Sequence, residues 1–370
     1  GFQPLNTANA RPVKVISRPD QYVGVTTYAG DGTSVVVSDY QFKPDFVWIK
    51  GYTDADRHGL YDTVRGVTKR LQSSESNAED TQNGVMSFDD KGFSVGDYAE
   101  TNGSGRGYVA WAWRAGGNKN TFNVDDVGYA TAAAAGLNGG TLTVTGASVG
   151  TKQGFSIIKY TGSGSAGDSA SHGLSEAPKF IITKNIDNGT YSWRVFTTVI
   201  DGTNDRVFLN ATTAQVAQSD APVPTSSLFY VGSNLDHNKS GDDIIAYLWH
   251  DVPGLQKFGS FEGNENANGP FVELGFEPAV VILKNLDNTG TGYDWFMFDN
   301  QRDKFNPCSS VLLANSSAAA SSANSIDFLS NGFKIRASTN GINLNSHTIL
   351  YAAWAEAPSI DLYGGGANAR

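Results

Sequence analysis

Short apolar runs separated by turn residues follow one another along the whole chain, with almost no 3.6-residue period of an amphipathic helix. Residues 22–28 and 46–50 are rich in β-branched and aromatic side chains and are bounded by turn residues, as is typical of strands. Residues 108–113 form an almost unbroken apolar run, which indicates a strand buried on both faces. The pattern therefore predicts an all-β protein built from antiparallel sandwiches.

Four landmarks recur three times in the same order. They are an aromatic residue before a glycine turn, a proline-led apolar run ending in lysine, a phenylalanine, and an apolar closing run. The copies are Tyr28, 42–50, Phe93 and 108–113; Tyr160, 176–184, Phe229 and 244–249; Phe261, 276–284, Phe333 and 350–355. The aromatic residue precedes the lysine by 22, 24 and 23 residues, and the lysine precedes the closing run by 58, 60 and 66. This spacing indicates tandem duplication of one unit of about a hundred residues.

The repeats predict how the chain is divided. We expect an extended N-terminal arm (1–20), β unit one (21–117), a linker with a strand (118–152), β unit two (153–252), β unit three (253–358) and a C-terminal tail (359–370). Each unit is predicted to be an antiparallel β-sandwich of the lectin or jelly-roll kind. Because only residues 251–254 join units two and three, we expect fixed packing there and more freedom between units one and two.

Composition and charge limit the kinds of partner and location that we expect for this chain. The net charge is -10 and no lysine or arginine cluster exists, so a nucleic-acid partner is not expected. No apolar run approaches the length needed to cross a bilayer, so no membrane span is expected. Cys308 is the single cysteine, which excludes an intrachain disulfide and fits assembly in a reducing cytosol. The chain starts at Gly1, which we interpret as a truncated or processed end.

Two glycine motifs superficially indicate enzyme chemistry. Residues 162–167 match a dinucleotide-binding pattern and residues 146–150 match a nucleophile elbow, but neither is followed by the helix that such a site requires. We therefore interpret both as turns.

The titratable residues do not predict an enzyme or a cofactor either. The five histidines do not share a metal-ligand spacing. The acidic pairs at 89–90, 125–126 and 242–243 leave a bound calcium ion open, although no calcium-loop motif is present. We expect no enzyme activity and no cofactor.

Most of the seven tryptophans lie in predicted strands and are expected to fill the core. Tyr191, Trp193, Tyr293 and Trp295 instead flank glycine-rich turns. These four are the predicted ligand-binding aromatics, because exposed rings can stack on sugars.

The repeated segments resemble a repeat domain of marine tailed-phage virion proteins, which are usually labelled tail fibre or structural. The matching segments are 42–50, 62–71, 87–89, 92–93, 108–111, 154–157, 172–174, 257–261, 268–272, 327–336 and 367–370. The resemblance covers nearly the whole chain and implies no active site. It differs near the closing runs, where residues 111–113 and 248–249 are bulkier here.

The resemblance implies a virion structural protein, assembled in the bacterial host cytoplasm. A tail fibre or appendage that adheres to host-surface glycans is the first interpretation, with other virion proteins as partners. A homo-oligomer is expected, with a trimer by analogy. A capsid decoration or head-fibre protein, a polysaccharide depolymerase and a secreted carbohydrate-binding module remain alternatives.

Overall fold

A computed structural model describes residues 16–322, 324–338, 340–360 and 366–367. It is nearly all β, so the predicted all-β sandwich class is confirmed. The helical segments are a 3₁₀ turn and three four-residue helices: η1 (Pro19–Gln21), α1 (Ala99–Asn102), α2 (Leu235–Asn238) and α3 (Asn340–Asn343).

The strands of the first predicted unit are β1 (Val23–Ala29), β2 (Val35–Val37), β3 (Phe46–Gly51), β4 (Gly59–Asp62), β5 (Lys69–Arg70), β6 (Asp80–Thr81), β7 (Val85–Asp89), β8 (Gly92–Val95) and β9 (Gly107–Trp113). The predicted linker contains β10 (Phe122–Val124), β11 (Val127–Tyr129) and β12 (Thr143–Gly150).

The second unit contains β13 (Phe155–Thr161), β14 (Ser169–Ser171), β15 (Phe180–Asn185), β16 (Arg194–Thr197), β17 (Asp205–Phe208), β18 (Val216–Ala217), β19 (Leu228–Tyr230) and β20 (Asp243–Trp249). The third contains β21 (Gln256–Glu262), β22 (Phe271–Glu273), β23 (Pro278–Asn285), β24 (Trp295–Asp299), β25 (Leu312–Leu313), β26 (Ile326–Leu329), β27 (Gly332–Ile335) and β28 (Thr348–Ala355). The strands β29 (Ser359–Ile360) and β30 (Gly366–Ala367) pair in the tail.

One strand order occurs in all three main sheets. The orders are β1-β9-β3-β4 in unit one, β13-β20-β15-β16 within the sheet of unit two, and β21-β28-β23-β24 in unit three. In each case the closing run lies between the first strand and the proline-led strand, antiparallel to both. A smaller outer sheet accompanies each main sheet, in the orders β2-β8-β7, β14-β19 and β22-β27-β26. The origin of this pattern by tandem duplication stays a prediction.

The predicted linker is built into unit two. Strand β12 pairs antiparallel with β13, and β10 pairs parallel with β12, so these strands extend the main sheet of unit two to nine strands. The interpretation of residues 118–152 as a linker with one strand is therefore corrected. Clean alternation in residues 141–145 revealed a strand, but the distant pairing partner of a short strand such as β10 has no local sequence signal.

Each main sheet is buried on both faces, which explains the unbroken apolar runs. In strand β3, Val47 and Ile49 pack in a core against the outer sheet of their own unit. Phe46 and Trp48 face a central core that contains residues of all three units. Two further outer cores belong to units two and three. The expected freedom between units one and two does not fit this arrangement, because both contribute to one buried cluster.

In each unit, an asparagine side chain holds the turn that follows the first strand of the main sheet. These asparagines were not identified from the sequence. Asn102, Asn238 and Asn343 each end a four-residue helix, and their amide oxygens accept hydrogen bonds from the backbone N–H groups of Asp31, Ser163 and Asn264 (2.9, 2.8 and 2.9 Å). The dinucleotide-like motif at 162–167 is therefore a turn fixed by Asn238. These asparagines precede the closing runs by 6, 6 and 7 residues, a spacing that could have revealed them.

Candidate functional site

Two of the four predicted binding aromatics are buried. Trp193 and Trp295 are 0% and 1% exposed, so their predicted exposure is wrong and neither ring can stack on a ligand. Trp193 directly precedes β16 and Trp295 begins β24, and both positions lie at boundaries between units, where a tryptophan can be covered from both sides. Tyr191 and Tyr293 are half-buried, and their ligand-binding role stays a prediction.

At each of the three boundaries between units, a buried aromatic ring of one unit forms a hydrogen bond with a backbone carbonyl oxygen of another unit. The indole Nε1 of Trp193 in unit two donates to the carbonyl oxygen of Gln72 in unit one, at 2.7 Å. The indole Nε1 of Trp295 in unit three donates to the carbonyl oxygen of Phe208 in unit two, at 2.8 Å.

His58 of unit one occupies the third equivalent position. Its Nε2 lies 2.9 Å from the carbonyl oxygen of Leu313 in unit three, while its Nδ1 accepts from the indole Nε1 of Trp48 at 2.8 Å. The two contacts fix a neutral ring with the proton on Nε2. Burial lowers the pKa of His58 to about 3.

A backbone hydrogen bond accompanies each ring contact. The N–H groups of Ala320, Glu79 and Gln215 donate to the carbonyl oxygens of Tyr52, Ile186 and Leu286 (2.9, 2.9 and 2.8 Å). These bonds join units one and three, two and one, and three and two. The three boundaries therefore close into a ring.

Buried ion pairs lie at two of the three boundaries. Asp62 and Arg65 are 0% and 1% exposed at the side chain, with Arg65 Nε 2.6 Å from Asp62 Oδ2, and Tyr247 of unit two donates to the same carboxylate. Asp299 and Arg302 repeat this pair at 2.7 Å, with the indole Nε1 of Trp111 donating to Asp299.

The third boundary carries no charge at the equivalent positions. Strand pairing places Thr197 where Asp62 and Asp299 stand, and Ile200 follows it by three residues as Arg65 and Arg302 follow their aspartates. The hydroxyl of Thr197 donates to the carbonyl oxygen of Lys179 (2.8 Å), so this polar group is satisfied within unit two.

Three tryptophans of the closing strands meet where the units converge. The ring centroids of Trp113, Trp249 and Trp354 are 5.3 to 6.2 Å apart, and each pair is T-shaped. The indole N–H groups of this tryptophan triad have no hydrogen-bond partner among the described residues. Edge-to-face packing of aromatic rings contributes to stability beyond the burial of their area.

The lysine that ends each proline-led run is buried. The Nζ of Lys50, Lys184 and Lys284 donates to the carbonyl oxygen of the following residue (2.5, 2.6 and 2.7 Å) and to a carbonyl of the next loop. Burial lowers the pKa of each lysine to about 8. These lysines hold the loops that begin the unit boundaries.

The other chemistry-bearing side chains also have structural contacts. His172 Nδ1 accepts from the N–H of Leu174 and His237 Nε2 from the N–H of Gly232, and burial lowers their pKa values to about 4 and about 3. Cys308 lies in the outer core of unit three. Within the described ranges, no group of three His, Cys, Asp or Glu residues could hold a metal ion. No helix in those ranges is long and apolar enough to span a bilayer.

A cleft with a volume of about 320 Å³ lies between units one and three. We call it the 1–3 cleft. Its lining includes the carboxylates and amides of Asp20, Asp39, Gln41, Gln301 and Glu356, and β1 forms one wall. Carboxylates and amides of this kind are suited to hydrogen bonds with hydroxyl groups.

Comparison with known proteins identifies a family for this chain, but that family has no known function. No curated protein and no solved structure matches the chain. One family model, a domain of unknown function (DUF7483), matches residues 18–358 and so spans all three units and both joints. The chain therefore belongs to the DUF7483 family.

Proposed function

We propose that this chain is a structural protein without catalytic activity, which acts as a rigid β platform in a phage appendage. The observation that carries this proposal is the closed ring of unit boundaries, in which buried rings, ion pairs and backbone groups hold three β units together. Such a body transmits force and keeps surface loops at fixed positions, as a tail fibre component must. The resemblance of the repeated segments to phage virion proteins supports the same function.

Adhesion to host-surface glycans is the proposed task of the exposed face. The 1–3 cleft supports it, because several carboxylates and amides there can bind sugar hydroxyls. Tyr191 and Tyr293 are only half-buried and are further candidates for sugar contacts. The proposed partners are other virion proteins and a host glycan, and the proposed location is the virion.

Immunogold electron microscopy of purified virions, with antibody against this chain, tests the proposal. Label on the tail or its fibres is the expected result, and label on the head would favour a capsid decoration or head fibre. Absence of label from particles would contradict a virion function. Release of reducing sugars from host envelope polysaccharide by the pure chain would contradict a purely structural role and favour a depolymerase.

Binding of host polysaccharide to the immobilised chain tests the adhesion task separately. We expect the double variant Asp39→Ala/Gln41→Ala to lose most of the binding, because it removes two polar side chains from the 1–3 cleft. The variant Lys119→Ala, at an exposed position outside this cleft, is the control. Equal binding by both variants would exclude the cleft as the glycan site.

A further inference from the structure

The outer sheets of the three units differ in how one edge is covered. Strands β2, β14 and β22 occupy equivalent edges, because each pairs with the strand that carries Phe93, Phe229 or Phe333. Strand β14 is completely buried. Strands β2 and β22 instead carry exposed apolar residues, with Val36 67% and Phe271 46% exposed.

A segment of the chain covers the edge in unit two. The N–H of Leu142 donates to the carbonyl oxygen of Ser169 (2.8 Å), and the N–H of Ser169 donates to the hydroxyl of Thr141 (2.9 Å). Gly140 permits this approach, because a Cβ there would lie 2.3 Å from the carbonyl oxygen of Ser169. In unit two, residues of the chain itself thus cover this edge by hydrogen bonding.

Unit three protects its edge differently. The ammonium group of Lys257 donates to the carbonyl oxygen of Glu273 in β22, at 2.7 Å, and Glu273 itself is an exposed charge on the edge. Charged side chains at an edge oppose pairing with another chain.

Strand β2 has neither protection. Within the described residues it pairs only with β8, and its three residues are all valine. An uncharged edge strand of this kind is a template for pairing with another polypeptide. Val36 pairs with Ser94, and Ser94 pairs with Ser87 on the next strand. Among these three cross-strand neighbours, Val36 is the apolar residue, and it is exposed.

The sequence around β2 fits an identical strand. Residues 34–38 read Ser-Val-Val-Val-Ser, which is the same in both directions. In an antiparallel pair centred on Val36, residue 36+k faces residue 36−k of the other strand, so Val36 faces Val36 and Ser34 faces Ser38. The next pair is Thr33 with Asp39, so no two carboxylates face each other across residues 33–39.

We propose that strand β2 is a self-association edge, at which two copies of this chain pair antiparallel about Val36. The two outer sheets then form one continuous six-stranded sheet, and each Val36 is covered by its counterpart. The contact is isologous, which is the commonest symmetry of homodimers. This proposal does not rest on the proposed function.

Sedimentation velocity of the full chain over about 1–200 µM tests the pairing, because a small interface is expected to be weak. We expect a reversible monomer–dimer equilibrium. Val36→Lys should weaken dimerisation at least tenfold, because it places two like charges opposite each other at the dyad. The control is Val127→Lys, which changes a valine of similar exposure (52%) on the edge strand β11 and should leave the dimer unchanged. Thermal melting of both variants verifies folding.

Cross-linking locates the contact. Under mild oxidation, Val36→Cys should give a covalent dimer, because directly opposed Cβ atoms lie within about 5.5 Å. Val127→Cys should stay monomeric on a non-reducing gel. The native Cys308 is fully buried, so we expect it not to cross-link in either variant. A chain that is monomeric throughout the range would overturn the proposal. So would an oligomer of any size that persists in Val36→Lys, or a dimer that Val36→Cys does not cross-link.

Discussion

Trp193 and Trp249 are equally buried, but their indole N–H groups differ. Trp193 donates to the carbonyl oxygen of Gln72, whereas the N–H of Trp249 has no hydrogen-bond partner among the described residues. Replacing either residue by phenylalanine removes a similar volume. We predict that Trp193→Phe destabilises the chain by about 0.5–1.5 kcal/mol more than Trp249→Phe, because it removes a cross-boundary hydrogen bond. The carbonyl oxygen of Gln72 then keeps its backbone hydrogen bond from the N–H of Glu75, at 3.3 Å.

Denaturant unfolding of the two variants and the wild-type chain measures this difference. Equal losses of stability would show that the cross-boundary hydrogen bond contributes little. A larger loss in Trp249→Phe would show that edge-to-face packing in the tryptophan triad is the stronger term.

His58 should make stability depend on pH. In the folded chain its pKa is lowered to about 3 from 6.5, so below pH 6.5 the unfolded chain binds more protons than the folded chain. The stabilising contribution is therefore complete above pH 6.5 and decreases as the pH falls towards 3. We predict that His58→Gln, whose amide can both accept from Trp48 and donate to Leu313, loses less stability than the wild type between pH 7 and pH 4.

Thermal melting at several pH values tests this prediction. Lys50 and Arg302 are the charged groups that act on His58, and both oppose its protonation, so the comparison with the wild type isolates the imidazole. Parallel pH profiles for the two chains would contradict the assignment.

At the scale of elements, the boundary between units two and three has no buried ion pair at the positions equivalent to Asp62 and Arg65, so it can be compared with the charged boundary between units one and two. Asp62 and Arg65 form a buried pair, whereas the equivalent positions of unit two hold Thr197 and Ile200. We predict that Asp62→Thr alone destabilises the chain by about 3–5 kcal/mol, because it leaves a buried guanidinium without its main partner. The double variant Asp62→Thr/Arg65→Ile should recover part of this loss, because it removes the unpaired guanidinium. The recovery is incomplete because the buried hydroxyl of Tyr247 contacts both replaced side chains and loses both partners.

Chemical unfolding of the single and double variants gives the coupling energy. If the double variant is as unstable as Asp62→Thr, the neutral pair does not fit this boundary. Thr197→Val is a suitable additional variant, since it removes the hydroxyl with its hydrogen bonds to the carbonyl oxygen of Lys179 and the N–H of Val199.

At the scale of the whole molecule, the central core makes the three units mutually dependent. Phe46, Trp249 and Trp354 come from different units and lie in one buried cluster. We therefore predict a single calorimetric transition for the full chain. A fragment ending at residue 252 should lose this transition or aggregate, because it exposes the faces that unit three covers.

Differential scanning calorimetry tests the prediction, with the ratio of calorimetric to van't Hoff enthalpy as the criterion. Two or three separate transitions would show that the outer cores of the units fold independently. A soluble, cooperatively folding fragment of residues 16–252 would show that unit three is an added domain.

The sequence by itself determined the fold class and the landmark strands. Period, turn residues and repeated spacing are local signals, and they predicted strands at residues 22–28, 46–50 and 108–113 close to their observed bounds. They also predicted that most tryptophans fill a core. The absence of catalytic chemistry, the virion location and the oligomeric state stay predictions.

Only the tertiary structure decided what covers each strand. Trp193 and Trp295 stand beside glycine-rich turns, and nothing nearby in the chain shows that another unit buries them. The residues that bury them are far away in sequence, as Gln72 is from Trp193, and such long-range contacts leave no periodic signal. The same reason explains why the sequence predicts a linker at residues 118–152. Their strands are short, and their role depends on the distant sheet that they join.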